Sequence, residues 1–135
     1  EAVWEIENGL SLSGQDIYDA ALKKSKWYNS ASELFEKFDL LVLPSTQVWP
    51  FDLAEIYPVS IKNEKMDTYH RWMEITVFAS LFQLPSISIP VGLNKNNLPM
   101  GMQLIAPYNE DAKLLSFAML YESVFNHCQS KPERF

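Results

Sequence analysis

One segment in the second half of the chain constrains the fold most. Residues 86–91, between Pro85 and Gly92, alternate small polar with β-branched residues, which is the two-residue period of a β-strand. Residues 40–43 are wholly apolar and are followed by Pro44. Such a run is typical of a strand covered on both faces. Because covered sheet faces require flanking helices, these segments predict an α/β fold.

The amino-terminal part is predicted to be helical. Ser13 and Asp16 resemble a capping box with Asp in place of the usual Glu or Gln. Apolar residues spaced mostly three or four apart follow as far as Phe38, which indicates an amphipathic helix. Asn29 and Ser30 could divide it into two.

The remaining elements complete one domain over residues 1–135. The predicted order after the first helix is a strand at 40–43, a long ordered loop at 45–61, a helix at about 67–82, strands at 86–91 and 100–105, and a last helix capped by Asn109. We therefore expect helices packed on a partial mixed β-sheet. Three strands are few for a sheet with helices on both faces, so some strands could lie outside this sequence.

Composition excludes several functional classes. The net charge is −6 and the chain has no run of Lys or Arg, so it is not expected to bind nucleic acid. No apolar run approaches the roughly 20 residues of a membrane helix, and no signal peptide is visible. The single cysteine, Cys128, allows neither an intramolecular disulfide nor a cysteine-based zinc site. We expect a cytoplasmic protein without cofactor or metal.

The titratable residues offer no complete catalytic site. His70 and His127 are the only histidines, and no G-x-S-x-G stretch exists, so a self-contained Ser-His-Asp triad is disfavoured. His70 and Glu74, four residues apart, could form half of a metal site, but a pair on a helix surface is favoured. Cys128 is expected to be a small core residue.

Aromatic residues are concentrated around the long loop and the second helix. They could line a substrate channel, or they could hold the loop against the helix, and the second interpretation is favoured. The residues are Trp49, Phe51, Tyr57, Tyr69 and Trp72.

Several segments together resemble the amidase signature family in order and spacing. They are D-L-L-V-L-P-S-T at 39–46, M-D-T-Y-H-R-W-M-E at 66–74, L-P-S-I-S-I-P-V-G at 84–92 and L-P-M-G-M-Q-L-I at 98–105. Gln83 and Asn97 stand where that family has glycine, and Ser80 where it often has asparagine. These exchanges concern local loop geometry, because glycine adopts backbone conformations that other residues avoid.

The resemblance implies an α/β/α enzyme that hydrolyses amide bonds with a Ser–cis-Ser–Lys triad through an acyl-enzyme intermediate. In the family those residues precede the matched region, so no catalytic residue is expected in this chain. The chain would be the carboxy-terminal portion, supplying scaffold and part of the substrate pocket. The expected pocket residues are Thr46, Trp49, Trp72, Met73 and Thr76.

Two interpretations follow. In the first, the chain is part of an amidase that acts on a small amide, with the remainder of the amidase chain or a second copy of itself as partner. In the second, it is a non-catalytic stand-alone module that binds a partner or a small ligand.

Overall fold

A computed structural model describes residues 2–129. The helices and strands are α1 (Ala2–Ser11), α2 (Gly14–Phe35), β1 (Leu41–Pro44), β2 (Ser60–Ile61), β3 (Glu64–Lys65), α3 (Glu74–Phe82), β4 (Ser86–Leu93), β5 (Pro99–Ile105) and α4 (Asp111–Phe125). Turns of 3-10 helix lie at Arg71–Met73 and His127–Gln129. Within residues 2–129, no helix has both the length and the apolar composition needed to span a bilayer.

Strand β5 lies at the centre of a three-stranded sheet. The order is β1-β5-β4, and both pairings are antiparallel. Gln103 of β5 is paired with Leu43 on one side and with Ser88 on the other. The register shifts between Pro90 and Gly92, where the glycine has a φ of 108°. The predicted α/β class and the three predicted strands are confirmed.

The main core lies between this sheet and α4. Leu104 is fully buried and packs with Ile89 of β4 and with Leu114 and Ala118 of α4. The neighbouring residue Gln103 faces the opposite side and contacts α3 through a hydrogen bond to Ile75. Because successive strand residues point to opposite faces, α4 packs on one face of the sheet, and Gln103 on the other face contacts the first turn of α3.

The first predicted helix is correct at its start and ends at Phe35, three residues before the end of the apolar pattern at Phe38. The capping box is present: Ser13 Oγ accepts a hydrogen bond from Asp16 N (3.2 Å), and Asp16 Oδ2 accepts one from Ser13 N (2.8 Å). The helix runs without a break through Asn29 and Ser30. Helix α1, which precedes Ser13, was not predicted.

The start of the second predicted helix is wrong by seven residues. The α-helix begins at Glu74 rather than near Asp67, and the preceding residues form turns in which Arg71 N donates to Thr68 O (3.2 Å). A side chain from the long loop contacts the first turn of the helix: Gln47 Oε1 accepts a hydrogen bond from Ile75 N (3.2 Å). It satisfies one of the backbone donors that a helix leaves free in its first turn.

The long loop and the last helix also differ in detail from the prediction. The loop ends in the small hairpin β2–β3, whose turn residues Lys62 and Asn63 both have positive φ (49° and 69°). A two-residue turn of this type requires positive φ at both positions. Asn109 is not the cap of α4, because the cap is Glu110 and Asn109 has a φ of 65°.

Two positions where the amidase signature family has glycine keep a left-handed backbone here. Gln83, at the carboxy-terminal end of α3, has a φ of 56°, and Asn97, in the turn between β4 and β5, has a φ of 59°. L-residues adopt this conformation at a cost that glycine does not bear, and asparagine tolerates it better than glutamine.

Candidate substrate pocket

An open cavity of about 530 Å³ lies where the loop after β1 meets the middle of β4 and the start of β5. Clefts of this size are typical of small-molecule sites. Among residues 2–129, the side chains that line it are mainly aromatic or aliphatic, and none is charged. They come from Thr46 and residues 48–51 of the loop, Trp72 before α3, residues 88–90 of β4 and residues 99–101 of β5.

Aromatic contacts connect the long loop to the segment before α3. Phe51 and Trp72 meet edge to face, with ring centroids 5.6 Å apart and planes at 89°. Tyr57 and Tyr69 form a similar pair at 5.7 Å, and Tyr69 also contacts Trp72 at 6.1 Å. These contacts agree with the interpretation that the aromatic residues hold the loop, and the substrate channel stays a prediction. These rings hold the loop, and Phe51 and Trp72 also line the cavity together with Trp49.

Two glutamines fix the start of α3 relative to the sheet. Gln47 accepts from the backbone N–H of Ile75, and Gln103 Nε2 donates to the backbone oxygen of the same residue (2.8 Å). Gln103 Nε2 also donates to Pro44 O (3.1 Å), and its side chain is buried. Because Trp72 lies three residues before Ile75, this bridge positions the indole at the cavity. Neither of these roles was predicted from the sequence.

The five predicted pocket residues do not all lie together. Thr46, Trp49 and Trp72 line the cavity, with Trp49 46% exposed. Met73 and Thr76 are outside its lining, and Thr76 is exposed with its hydroxyl donating to Met73 O (2.8 Å). The expectation for Met73 and Thr76 depended on a helix from Asp67, and the α-helix begins at Glu74.

A pair of hydroxyl groups lies at the sheet end of the cavity. Ser45 Oγ and Ser88 Oγ are 2.7 Å apart and share a hydrogen bond. Gly101 makes this approach possible, since a Cβ at that position would lie 2.6 Å from Ser45 Oγ. A glycine at position 101 is therefore a steric requirement of the serine pair.

The histidines and the cysteine lie elsewhere. His70 Nε2 pairs with the carboxylate of Glu5 in α1, so the expected His70–Glu74 pair is wrong; Glu74 instead contacts Arg71 Nε at 3.5 Å. Residues 67–70 are not helical, so the spacing on which that expectation depended does not apply.

Cys128 is exposed and not a core residue, because the α-helix ends at Phe125 and a 3-10 turn follows. A hydrogen bond to Glu122 raises the pKa of its thiol, and desolvation and the negative charge of Glu122 add to this. A thiol whose pKa is raised is a poor nucleophile near neutral pH.

The strands of the sheet, the serine pair, and Thr46 and Trp72 of the cavity lie on the segments that resemble amidases. Trp49 and Phe51 lie between two of these segments. The sequence profile of the Amidase family matches residues 4–115, and the chain belongs to the amidase signature family.

Three proteins to which the chain is similar are described by their identity to it and by the share of each chain that is covered. The chain is 34% identical over 121 residues to a glutamyl-tRNA(Gln) amidotransferase subunit from Ehrlichia canis (strain Jake), covering 84% of this chain and 23% of that protein. The crystal structure of a bacterial aryl acylamidase superposes with a TM-score of 0.84 at 25% identity, covering 96% of this chain and 27% of that one. The amidotransferase subunit of the same name from Thermotoga maritima gives a TM-score of 0.66 at 30% identity, with 81% and 23% covered. The chain thus spans about a quarter of the length of these relatives.

Proposed function

We propose that this chain forms the scaffold and one wall of the substrate pocket in an enzyme that hydrolyses carboxylic amide bonds. The observation that carries the proposal is the convergence of Thr46, Trp49 and Trp72 on one open cavity in a chain of the amidase signature family. The relatives' names, which describe an aryl acylamidase and part of an amidotransferase, agree with chemistry at an amide bond. The proposal keeps the cytoplasmic location expected from the sequence.

The reactive groups of the proposed enzyme lie in another stretch of polypeptide. Ser45 and Ser88 are the serines nearest the cavity, and the side-chain hydrogen bond that each makes within residues 2–129 is to the other. A serine nucleophile requires a base within hydrogen-bond reach and donors for the oxyanion. We therefore assign no catalytic residue to this chain, and we expect the isolated chain not to hydrolyse amides.

The exposed apolar surface of the chain is an argument for a large partner. Ala31 is the buried residue of α2, although the helix has 22 residues, and much of the outer face of α4 is apolar and exposed. Exposed large apolar side chains include Ile17 (61%), Trp27 (60%), Met119 (73%) and Val124 (66%). Extensive exposed apolar patches indicate an interaction surface. We propose that the remaining three quarters of the amidase fold cover these helices; without them, a second copy of the chain would do so.

The test compares the purified chain with the complete amidase, defined as the enzyme that unites this chain with the rest of the amidase fold. Ammonia release from simple amides is measured for both. We expect turnover by the complete amidase and none by the chain alone. Turnover by the chain alone that is lost on Ser45→Ala or Ser88→Ala, and retained on His70→Ala, would show that the nucleophile lies here.

A second measurement addresses the partner surface. Sedimentation of the isolated chain should reveal association that increases with concentration, together with binding of a dye specific for apolar surface. A monomer without dye binding would contradict the idea that these helices need a cover. If such a monomer also bound small amides without hydrolysing them, the stand-alone binding module would replace the amidase proposal.

A further inference from the structure

The lining of the cavity restricts the kind of substrate it can accept. Thr46 and Ser88 contribute the polar side chains of the lining, and Ser88 already bonds to Ser45. A charged group that lies against this wall loses part of its hydration and gains no counter-charge from residues 2–129. This wall therefore favours an uncharged substrate group.

Two other cavities, unlike the one lined by Trp49 and Trp72, have charged side chains in their lining. One of about 270 Å³ is lined by Asp67 and His70 among others. The other shares these two residues and is also lined by Arg71 and Glu74. Charged side chains are thus available on this side of the chain. They lie outside the cavity that Trp49 and Trp72 line, so its lack of charge is local to that site.

Aromatic side chains give the cavity a shape suited to a ring. Phe51 and Trp72 form a corner by their edge-to-face contact, and Trp49 presents a half-exposed indole beside it. Aromatic rings prefer offset-stacked or edge-to-face neighbours at centroid distances of about 4.5–7 Å. A ring in this corner gains such contacts, in addition to the burial of its apolar area.

The corner is also held in place before a ligand arrives. Gln47 and Gln103 bind the backbone of Ile75, and Tyr69 supports Trp72 from behind at 6.1 Å. A wall whose side chains are already fixed loses little conformational freedom when it binds a ligand. Binding energy from a ring is therefore available to favour one substrate over another.

We infer that the cavity formed by Trp49, Phe51 and Trp72 receives an uncharged aromatic group of the amide substrate, and that the amidase prefers such substrates to small or charged amides. This inference rests on the proposed function, because it assigns the substrate class of the same pocket. The ring lies against the indoles, and Thr46 and Ser88 lie at the end of the cavity where polar atoms of the substrate can be accommodated.

The experiment uses three amides that share a propionamide skeleton and release ammonia: 3-phenylpropionamide, propionamide and succinamate. The complete amidase should have a kcat/KM for 3-phenylpropionamide roughly 10- to 100-fold above that for propionamide, as expected from burial of one phenyl ring. Succinamate should be the poorest of the three. N-phenylacetamide, compared with acetamide, tests the same preference on the amine side of the bond.

Variants show whether the preference comes from this cavity. Trp72→Ala should reduce the ratio of kcat/KM for the aromatic and small amides by about tenfold, and Trp72→Phe should retain most of it. Tyr108→Ala is the control, since Tyr108 is exposed in the turn between β5 and α4 and is outside the cavity. Far-UV circular dichroism checks that each variant is folded.

The outcomes separate the two proposals. Absence of turnover for every amide would overturn the proposed function itself. Turnover with an equal or higher kcat/KM for propionamide or succinamate, and no preference for the anilide, would overturn only the substrate class. An aromatic preference that persists unchanged in folded Trp72→Ala would also overturn it.

Discussion

Replacement of Gln103 by methionine tests the link between the sheet and the pocket wall. Gln103 is 8% exposed, and its side-chain nitrogen donates to Pro44 O at 3.1 Å and to Ile75 O at 2.8 Å. Methionine keeps the length of the side chain and removes both donors. The variant therefore removes the hydrogen bonds that join β1, β5 and α3 while leaving little empty space.

The expected loss follows from these two bonds. A hydrogen bond within a protein contributes about 0.5–1.5 kcal/mol net, so the variant should lose roughly 2 kcal/mol of unfolding free energy. With a urea m-value of about 2 kcal/mol/M, the unfolding midpoint should fall by about 1 M.

Urea unfolding followed by far-UV circular dichroism, at equal protein concentrations, measures this loss. Gln15→Met is the matched control: Gln15 Nε2 donates to Asp19 Oδ1 at 2.9 Å on the exposed surface of α2. An exposed pair of this spacing contributes about 0.2–0.5 kcal/mol. If Gln103→Met and Gln15→Met shift the midpoint equally, Gln103 does not join the sheet to α3 in the way described.

Three further predictions concern local structure. Gln83→Gly should raise the unfolding free energy by about 0.5–1 kcal/mol, because glycine relieves the left-handed backbone at φ 56°; a lower urea midpoint would contradict this. Glu122→Gln should move the pH profile of Cys128 alkylation by iodoacetamide to lower pH, because the carboxylate that raises the thiol pKa is removed; an unchanged profile would refute the assignment. Ser13→Ala should lower the urea midpoint at pH 7. Hydrogen bonds from Ser13 lower the pKa of Asp16 below its usual 3.8, so their stabilisation is present above that pH and is lost as the pH falls through the folded-state pKa. The Ser13→Ala deficit should therefore diminish in acid, and a deficit that stays constant would contradict the capping role.

Sequence patterns were sufficient wherever a short segment determines its own structure. The alternation at residues 86–91 predicts β4, and Ile89 points to the core while Ser88 points to the pocket side of the sheet. Ser13 and Asp16 form the capping box that their spacing indicates. In these cases the spacing of residues along the sequence follows the local geometry of the strand or of the helix start, so it predicts the element directly.

The features that the sequence did not predict involve contacts between distant residues or a turn without its usual residues. Gln47, which contacts the first turn of α3, is 28 residues from Ile75. Thr76 lies outside the lining of the cavity, which the periodicity of the second helix did not predict. The turn of the β2–β3 hairpin uses Lys62 and Asn63, and it lacks the Asn-Gly or Asp-Gly pair by which such turns are usually identified.

The most direct test of the pocket assignment is protection of a thiol placed at position 46. In the complete amidase carrying Thr46→Cys, labelling by a maleimide is followed at each cysteine by mass spectrometry. Cys128, which is exposed and outside the cavity, serves as the internal control. We expect a saturating, unreactive aromatic amide analogue to slow labelling at position 46 and to leave Cys128 unaffected. Equal labelling at position 46 with and without the analogue would contradict the assignment, because the surface between Thr46 and Trp72 would then not bind substrate.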